Sequence, residues 1–484
     1  MLERAAPVLF VQGFLLLILA IAMLVPLWLI VADGGSSWQG FATGTSLTAA
    51  TGLLLVLICG RRDYSLTIRQ MFALTCSSWG SVCLFAALPL YFGMPELSFT
   101  DAVFEAVSGV TATGGTVLTG LDTLPRGILL WRGLLQWLGG IGIVVFAIAI
   151  LPFLSIGGMR LFKTESSDWS DKVAPRSGSV AKSVGSIYVA LTLLCGASYW
   201  LAGMQGFDAV VHAMTTVATG GYANYDASYG VYADNLSVLW IGIVFMIAGA
   251  LPFTLYVALV KNRRTDLFRD QQVRGFIGTA AVAVVLLFAA VLFVIPLEPF
   301  ALFTHTAFNV ISILSTTGYA SVDYTEWGAF AIALFFFITF IGGCSGSTSG
   351  GLKIFRLQIA MVLLNHQLKQ LLHGQGVFTQ KYNNRRLSDE LISSITAFSF
   401  FFLSTIAVLA LALSALGLDL QTAISGAASA VANVGPGLGP IIGPAGTFAS
   451  VPDAAKWLLS VGMLLGRLEI MTLLVLLTPA FWRW

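Results

Sequence analysis

Four glycines, Gly114, Gly221, Gly318 and Gly435, each close a short run of small and hydroxyl-bearing residues lying between two long apolar stretches. The runs before them read Thr111-Ala112-Thr113, Ala218-Thr219-Gly220, Ser315-Thr316-Thr317 and Ala432-Asn433-Val434. Residues this small let backbone carbonyls crowd around an axis, and glycine admits backbone conformations closed to other residues. Carbonyls gathered in that way can replace the hydration shell of an alkali cation. The chemistry on offer is cation coordination by backbone oxygen, from four copies of a membrane hairpin with a re-entrant loop.

The four copies align. Thirteen residues before the glycines stand Asp101, Asp208, His305 and Thr422, and seven residues after those starting points stand Ser108, Thr215, Ser312 and Ser429. Three of the starting points are followed by alanine: Ala102, Ala209 and Ala423.

The elements that must position these loops are membrane helices. The chain is 57% hydrophobic and 10% charged, with fifty glycines, whereas soluble chains carry about a quarter charged residues. Apolar stretches at 8 to 31, 41 to 59, 70 to 93, 128 to 153, 184 to 203, 236 to 260, 275 to 297, 328 to 360, 391 to 416 and 456 to 480 predict ten spans, each near the ~20 residues that a hydrocarbon core requires. The loops fall after spans three, five, seven and nine, leaving the first two as an extra hairpin. The stretch from Val8 is too long for the apolar core of a signal peptide and reads as a spanning helix. Non-helical backbone at membrane depth is tolerated only where protein or a watery cavity surrounds it. Four loops meeting at one axis satisfy that condition, with the partial negative C-terminal ends of the preceding half-helices aimed at the same point.

Basic residues fix the sides. An N-terminus inside puts 21 of 25 Lys and Arg on the inner face and only Arg126, Arg132 and Lys456 outside, with Arg467 in mid-span, as the bias toward cytoplasmic positive charge requires. Thirteen of 23 acids fall outside, giving that face a field that concentrates cations. Asp101, Asp208 and Asp419 are also placed to cap helices. Five cysteines lack paired spacing and read as small buried residues.

These residues resemble the Trk/Ktr/HKT superfamily of potassium transporters, within it the TrkH/TrkG type. The resemblance runs over essentially the whole chain: the extra hairpin, Thr113-Gly114, Gly220-Gly221-Tyr222, Thr317-Gly318-Tyr319, Val434-Gly435-Pro436-Gly437, and Gly466-Arg467-Leu468-Glu469-Ile470. It implies an all-α polytopic membrane protein in which four pseudo-repeats of helix, pore half-helix with filter loop, and helix surround one potassium pore. The hairpin would occupy 1–65 and the repeats 66–160, 161–264, 265–375 and 376–484. It implies a filter on the four glycines, with potassium held by backbone carbonyls of Ala112, Thr113, Thr219, Gly220, Thr316, Thr317, Asn433 and Val434. No repeat carries the serine that marks sodium-permeable plant relatives. The resemblance further implies no enzyme activity, no cofactor in this chain, a homodimer, a cytoplasmic ring of TrkA-type subunits binding NAD(H), ATP or ADP, no nucleic acid, and a bacterial inner membrane with both termini cytoplasmic. One recognisable glycine per repeat, against the longer Thr-Val-Gly-Tyr-Gly run of potassium channels, predicts potassium preference with weaker discrimination, so that rubidium passes.

Two further features bear on the pathway. The run Gly342-Gly343-Cys344-Ser345-Gly346-Ser347-Thr348-Ser349-Gly350-Gly351 interrupts the span after the third filter, and so many poor helix formers should break it. It reads as a flexible plug below the filter, the matching stretch in TrkH-like proteins being a gating loop, here on Gly346, Ser347, Thr348, Ser349 and Gly350. Close helix packing through small residues is the other reading. A central arginine costs at least roughly 2.5 to 3.5 kcal/mol, so Arg467 must face a cavity or a partner. Its target is either the carbonyls of the glycine run, where it would also slow cations leaving the filter, or an inter-helix ion pair. Glu469 stands on a different helix face.

Trp131, Trp240 and Trp457 each precede a glycine by nine residues and are expected at the outer interface as anchors. His212 and His305 lie in pore half-helices and read as packing residues. The basic stretches near 160 to 183, 261 to 274 and 365 to 390 either dock a regulatory subunit or enforce topology. An alternating-access transporter coupling uptake to sodium or protons is the competing function, which inverted repeats would favour; here the repeats run parallel.

Overall fold

The computed structural model describes residues 2–60, 66–149, 177–262, 265–373 and 376–482. The basic residues Arg160, Lys163, Lys172 and Arg176 therefore lie outside the described residues, as does the boundary drawn at 160. An opening hairpin, α1 (Leu2–Ala32) and α2 (Trp38–Cys59), packs on α3 (Ile68–Gly93), the first helix of repeat 1. Gly44 of α2 makes this approach possible, since a Cβ there would run into the backbone of Leu88 and Pro89.

Four units of similar plan follow. Repeat 1 is α3, the half-helix α4 (Phe99–Val110) and α5 (Arg126–Ala149). Repeat 2 is α6 (Ser177–Leu201), α7 (Gly206–Val217), α8 (Leu236–Ala250) and α9 (Phe253–Asn262). Repeat 3 is α10 (Gln271–Val291), α11 (Pro299–Leu314), α12 (Ala329–Thr339) and α13 (Ile354–Leu372). Repeat 4 is α14 (Asp389–Ala415), α15 (Leu420–Ala432), α16 (Asp453–Arg467), α17 (Ile470–Leu477) and α18 (Pro479–Trp482). A two-stranded hairpin, β1 (Lys381–Tyr382) and β2 (Arg385–Arg386), precedes α14. The outgoing helix of each repeat packs on the half-helix of the next: α5 on α7, α8 on α11, α12 on α15, and α16 back on α4. The ring therefore closes on itself.

Ten uninterrupted spans do not form. Among the described residues seven helices are long and apolar enough to cross a membrane, or nine if each bent pair counts as one. The predicted span 236 to 260 turns by 92° between α8 and α9, and 456 to 480 turns by 109° between α16 and α17. Pro252 stands at the first break, where its missing N–H ends the helix; Glu469, with φ of 58°, stands at the second. The span 328 to 360 is α12, then an irregular loop over 340–353, then α13, as the small-residue run predicts.

Half-helix starts also differ in part from expectation. Asp419 caps α15 by accepting from Thr422 N at 3.0 Å, but the cap of α4 is Ser98, whose hydroxyl accepts from Asp101 N. Asp208 lies inside the first turn of α7 and instead receives Asn224 Nδ2 and the Tyr225 hydroxyl. Trp131 is not an interface anchor: it is fully buried, donating Nε1 to the Ala86 carbonyl at 3.1 Å. Trp457, by contrast, is 40% exposed.

Candidate functional site

Each half-helix ends in the same way. The residue two before each of the four aligned glycines adopts a left-handed backbone: Ala112 (φ 52°), Thr219 (49°), Thr316 (58°) and Asn433 (55°). Such a conformation costs a non-glycine residue ~1 to 3 kcal/mol and needs local support. Support comes from a helix-terminating bond that reaches back five residues. Thr113 N donates to Ser108 O at 2.9 Å, Gly220 N to Thr215 O at 2.9 Å, Thr317 N to Ser312 O at 2.8 Å and Val434 N to Ser429 O at 3.0 Å. The four hydroxyl residues aligned by sequence are thus the anchors, through their main-chain carbonyls.

The glycines come next, all at positive φ: Gly114 94°, Gly221 85°, Gly318 85° and Gly435 106°. A Cβ on Gly114 would overlap the carbonyl oxygen of Gly220; one on Gly221, that of Thr317; one on Gly318, that of Val434; one on Gly435, that of Thr113. Repeat 1 meets 2, 2 meets 3, 3 meets 4 and 4 meets 1. Thr113, Gly220, Thr317 and Val434 are thus brought together in one closed ring, each carbonyl against the glycine of the preceding repeat. Asn433 ties the seam between the last and first repeats, donating Nδ2 to Thr113 Oγ1 and to Met463 O, both at 2.9 Å. All four repeats also line a cavity of about 60 Å³, through Gly114, Gly221, Gly318 and Pro436, with Asp226 on its wall.

Aromatic residues after two of the glycines lock neighbours together. The Tyr222 hydroxyl of repeat 2 donates to Glu105 O in α4 at 2.8 Å, and that of Tyr319 in repeat 3 pairs with Thr215 Oγ1 in α7 at 2.5 Å.

The small-residue run lies against the ends of three half-helices. The Thr348 hydroxyl faces the carbonyls of Val217 (3.1 Å) and Gly249 (3.0 Å) and receives Thr219 Oγ1 at 3.1 Å. Ser349 Oγ pairs with Thr316 Oγ1 at 3.0 Å, Gly350 N donates to Thr316 Oγ1 at 2.7 Å, and Gly351 N donates to Ala432 O at 2.8 Å. The run also satisfies backbone freed by the bend in repeat 2, as Cys344 N donates to Ala250 O and Phe253 N to Gly346 O. Ser347 Oγ donates to Cys344 O at 2.5 Å. The run is thus irregular backbone, closely packed against the ends of the half-helices.

Arg467, buried at the end of α16, donates Nη1 to Thr348 O at 2.9 Å, while its Nε and Nη2 have no hydrogen-bond partner among the described residues. Its target is the carbonyl of the loop. The inter-helix ion pair of this corner belongs to Arg356 and Glu469, at 2.7 Å, with Arg356 stacked 3.6 Å over Phe398.

Charge counting located the outer bases but missed what they do. Each is paired: Arg126 with Asp33, Lys456 with Asp101 at 2.6 Å, and Arg132 with Glu105 at 2.8 Å. The last pair is fully buried behind the first two filters. Glu105 accepts Val117 N at 3.0 Å, and Arg132 donates to Ala223 O at 2.9 Å with its guanidinium 4.1 Å over Tyr222. The available signal was two ionisable residues within predicted membrane segments, a pattern that marks function by default. Gln136, which contacts both sides of Gly221, went unnoticed as one polar residue in an apolar span.

A single chain whose four membrane repeats close one ring of backbone carbonyls is a four-repeat membrane transport protein. A family model described as TrkH, cation transport protein, matches residues 37–483, and the chain belongs to that family. It is 55% identical over 483 residues to the Trk system potassium uptake protein TrkI of Halomonas elongata, covering 100% of this chain and 98% of the relative. It is 37% identical over 481 residues to the Trk system potassium uptake protein TrkH of Escherichia coli, covering 98% of each. The crystal structure of the potassium transporter TrkH from Vibrio parahaemolyticus matches with a TM-score of 0.91 at 34% identity, over the whole of both chains.

Proposed function

We propose that the protein takes up potassium across the bacterial inner membrane through one pore, with Gly114, Gly221, Gly318 and Gly435 as its selectivity filter. The observation that carries this reading is the cyclic placement of each filter glycine against the carbonyl of the next repeat. Carbonyls from Ala112, Thr113, Thr219, Gly220, Thr316, Thr317, Asn433 and Val434 would replace the ion's water. The four half-helix ends add partial negative charge there. The relatives named as potassium uptake proteins, at 55% and 37% identity over nearly full length, support the choice of ion.

In this reading the loop at Gly346, Ser347, Thr348, Ser349 and Gly350 closes the inner side, and Arg467 holds it shut while raising the barrier to a departing cation. The chain works as a homodimer with cytoplasmic termini, its repeats bounded as 66–160, 161–264, 265–375 and 376–484 after the hairpin 1–65. A TrkA-type nucleotide-binding ring on the inner face regulates it. Replacing Gly318 or Gly435 with Ser tests the filter: potassium and sodium fluxes in proteoliposomes should become less different. An unchanged flux ratio in folded protein would overturn the assignment.

A further inference from the structure

The peptide that follows each filter glycine leads into a limb that must be held from behind, and three repeats hold it from their own half-helix. Glu105, nine residues before Gly114, accepts Val117 N at 3.0 Å; Asn309, nine before Gly318, accepts Ser321 N at 3.1 Å. In repeat 4, Ser425 accepts Leu438 N at 2.9 Å. These three amides occupy the same position, three residues after the glycine. In repeat 2 the residue nine before Gly221 is His212. Its Nδ1 pairs with Asp208 O at 2.9 Å, its Nε2 has no hydrogen-bond partner among the described residues, and its ring stacks on Tyr225. No side chain of α7 is seen to accept the Asn224 amide; α7 holds this limb by its side chains, Asp208 accepting Asn224 Nδ2 at 2.7 Å and the Tyr225 hydroxyl at 2.6 Å.

A second brace, nearer the glycine, arrives from the neighbouring repeat. Gln136 on α5 of repeat 1 donates Nε2 to Gly220 O at 2.5 Å and accepts Tyr222 N at 3.0 Å, so its carboxamide grips both sides of Gly221. The equivalent positions, five residues after Trp240, Leu334 and Trp457, are Phe245, Thr339 and Gly462, which leaves repeat 2 alone with this clamp. Gly220 is also the one ring carbonyl carried by a glycine; the others belong to Thr113, Thr317 and Val434. A Cβ on Gly220 would overlap the Gln136 carboxamide, so the side chain used in the other repeats is displaced by the clamp. A peptide between two glycines is the freest to rotate, and this one is fixed by an amide.

We propose that Gln136 is a selectivity-determining positioning residue, which from repeat 1 sets the orientation of the Gly220 carbonyl in repeat 2. This rests on the filter reading above. The test uses full-length protein in proteoliposomes and compares potassium with sodium flux for Gln136→Met, which keeps the volume and loses both bonds. The flux ratio should fall about fivefold, the factor equivalent to one neutral hydrogen bond. Gly220→Ala, which pushes the clamp out from the other side, should lower the ratio similarly and decides the matter if Gln136→Met does not assemble. Supplying a side chain where the clamp is removed, in Gln136→Ala with Gly220→Thr, should restore part of the ratio. A wild-type ratio in Gln136→Met beside a lowered ratio in Gly318→Ser would overturn the clamp and leave the filter standing. A wild-type ratio in Gly318→Ser as well would overturn the filter reading itself.

Discussion

The carbonyl ring proposed as the filter and the loop against it are both rich in glycine and both turn through left-handed glycines, Gly114, Gly221, Gly318 and Gly435 in one and Gly342, Gly346 and Gly351 in the other. They are fastened by different chemistry. Filter residues hang on main-chain carbonyls at the ends of helices, from Ser108, Thr215, Ser312 and Ser429, and on the seams between repeats. Most of the loop's ties to the half-helices run through hydroxyls, those of Thr219, Thr316, Thr348 and Ser349, together with one guanidinium. A helix-terminating bond moves only if the helix end moves. A hydroxyl rotates to suit its partner, and each neutral bond contributes only ~1 kcal/mol net. One region is fixed mainly through the main chain and the other mainly through side-chain hydroxyls.

The comparison breaks most readily at its rigid side. Glu105→Ala would leave Arg132 buried without its carboxylate, and removing one member of a buried pair costs ~3 to 5 kcal/mol; thermal unfolding in detergent should drop accordingly. A midpoint within a degree or two of wild type would mean that the outer pair carries no structural weight. Next in size is Gly318→Ser, expected to narrow the potassium-to-sodium flux ratio by about tenfold, equivalent to ~1.4 kcal/mol, as the new Cβ displaces the Val434 carbonyl. On the side of the loop, Arg467→Ala removes the bond to Thr348 O and the buried charge, and cation flux should rise by about tenfold, the lower end of the ~1.5 to 3 kcal/mol that charged hydrogen bonds contribute. A fall in flux by well-folded protein would contradict the latch. Smallest is Thr348→Val, which silences the hydroxyl contacts to Val217, Gly249 and Thr219; a rise of about two- to fivefold is expected from a neutral bond, and additivity with Arg467→Ala would show that the two ties act independently.

Much of this arrangement was legible from residue types. The four glycines stand out because positive φ next to another backbone leaves no alternative residue, and the loop because ten small residues cannot sustain a helix. Arg467 was legible as a charge in need of an oxygen. The sharp bends were not: Pro252 and the charged Arg467 and Glu469 mark places where a helix could stop, but it is tertiary contact that sets turns of 92° and 109° there. The buried Arg132 and Glu105 were counted as surface charges, because their pairing spans 27 residues and depends on how α4 leans on α5. Gln136 meets Gly220 across 84 residues, and nothing local marks Gln136 as its partner.

Because the carbonyl ring is written once along a single polypeptide, its quarters inherit mutations separately. An assembly of four identical subunits must change all four positions at once, so every trial is a fourfold trial. Here Thr113, Gly220, Thr317 and Val434 have already diverged. The ring's four sectors can therefore change one at a time, each against neighbours that stay as they were.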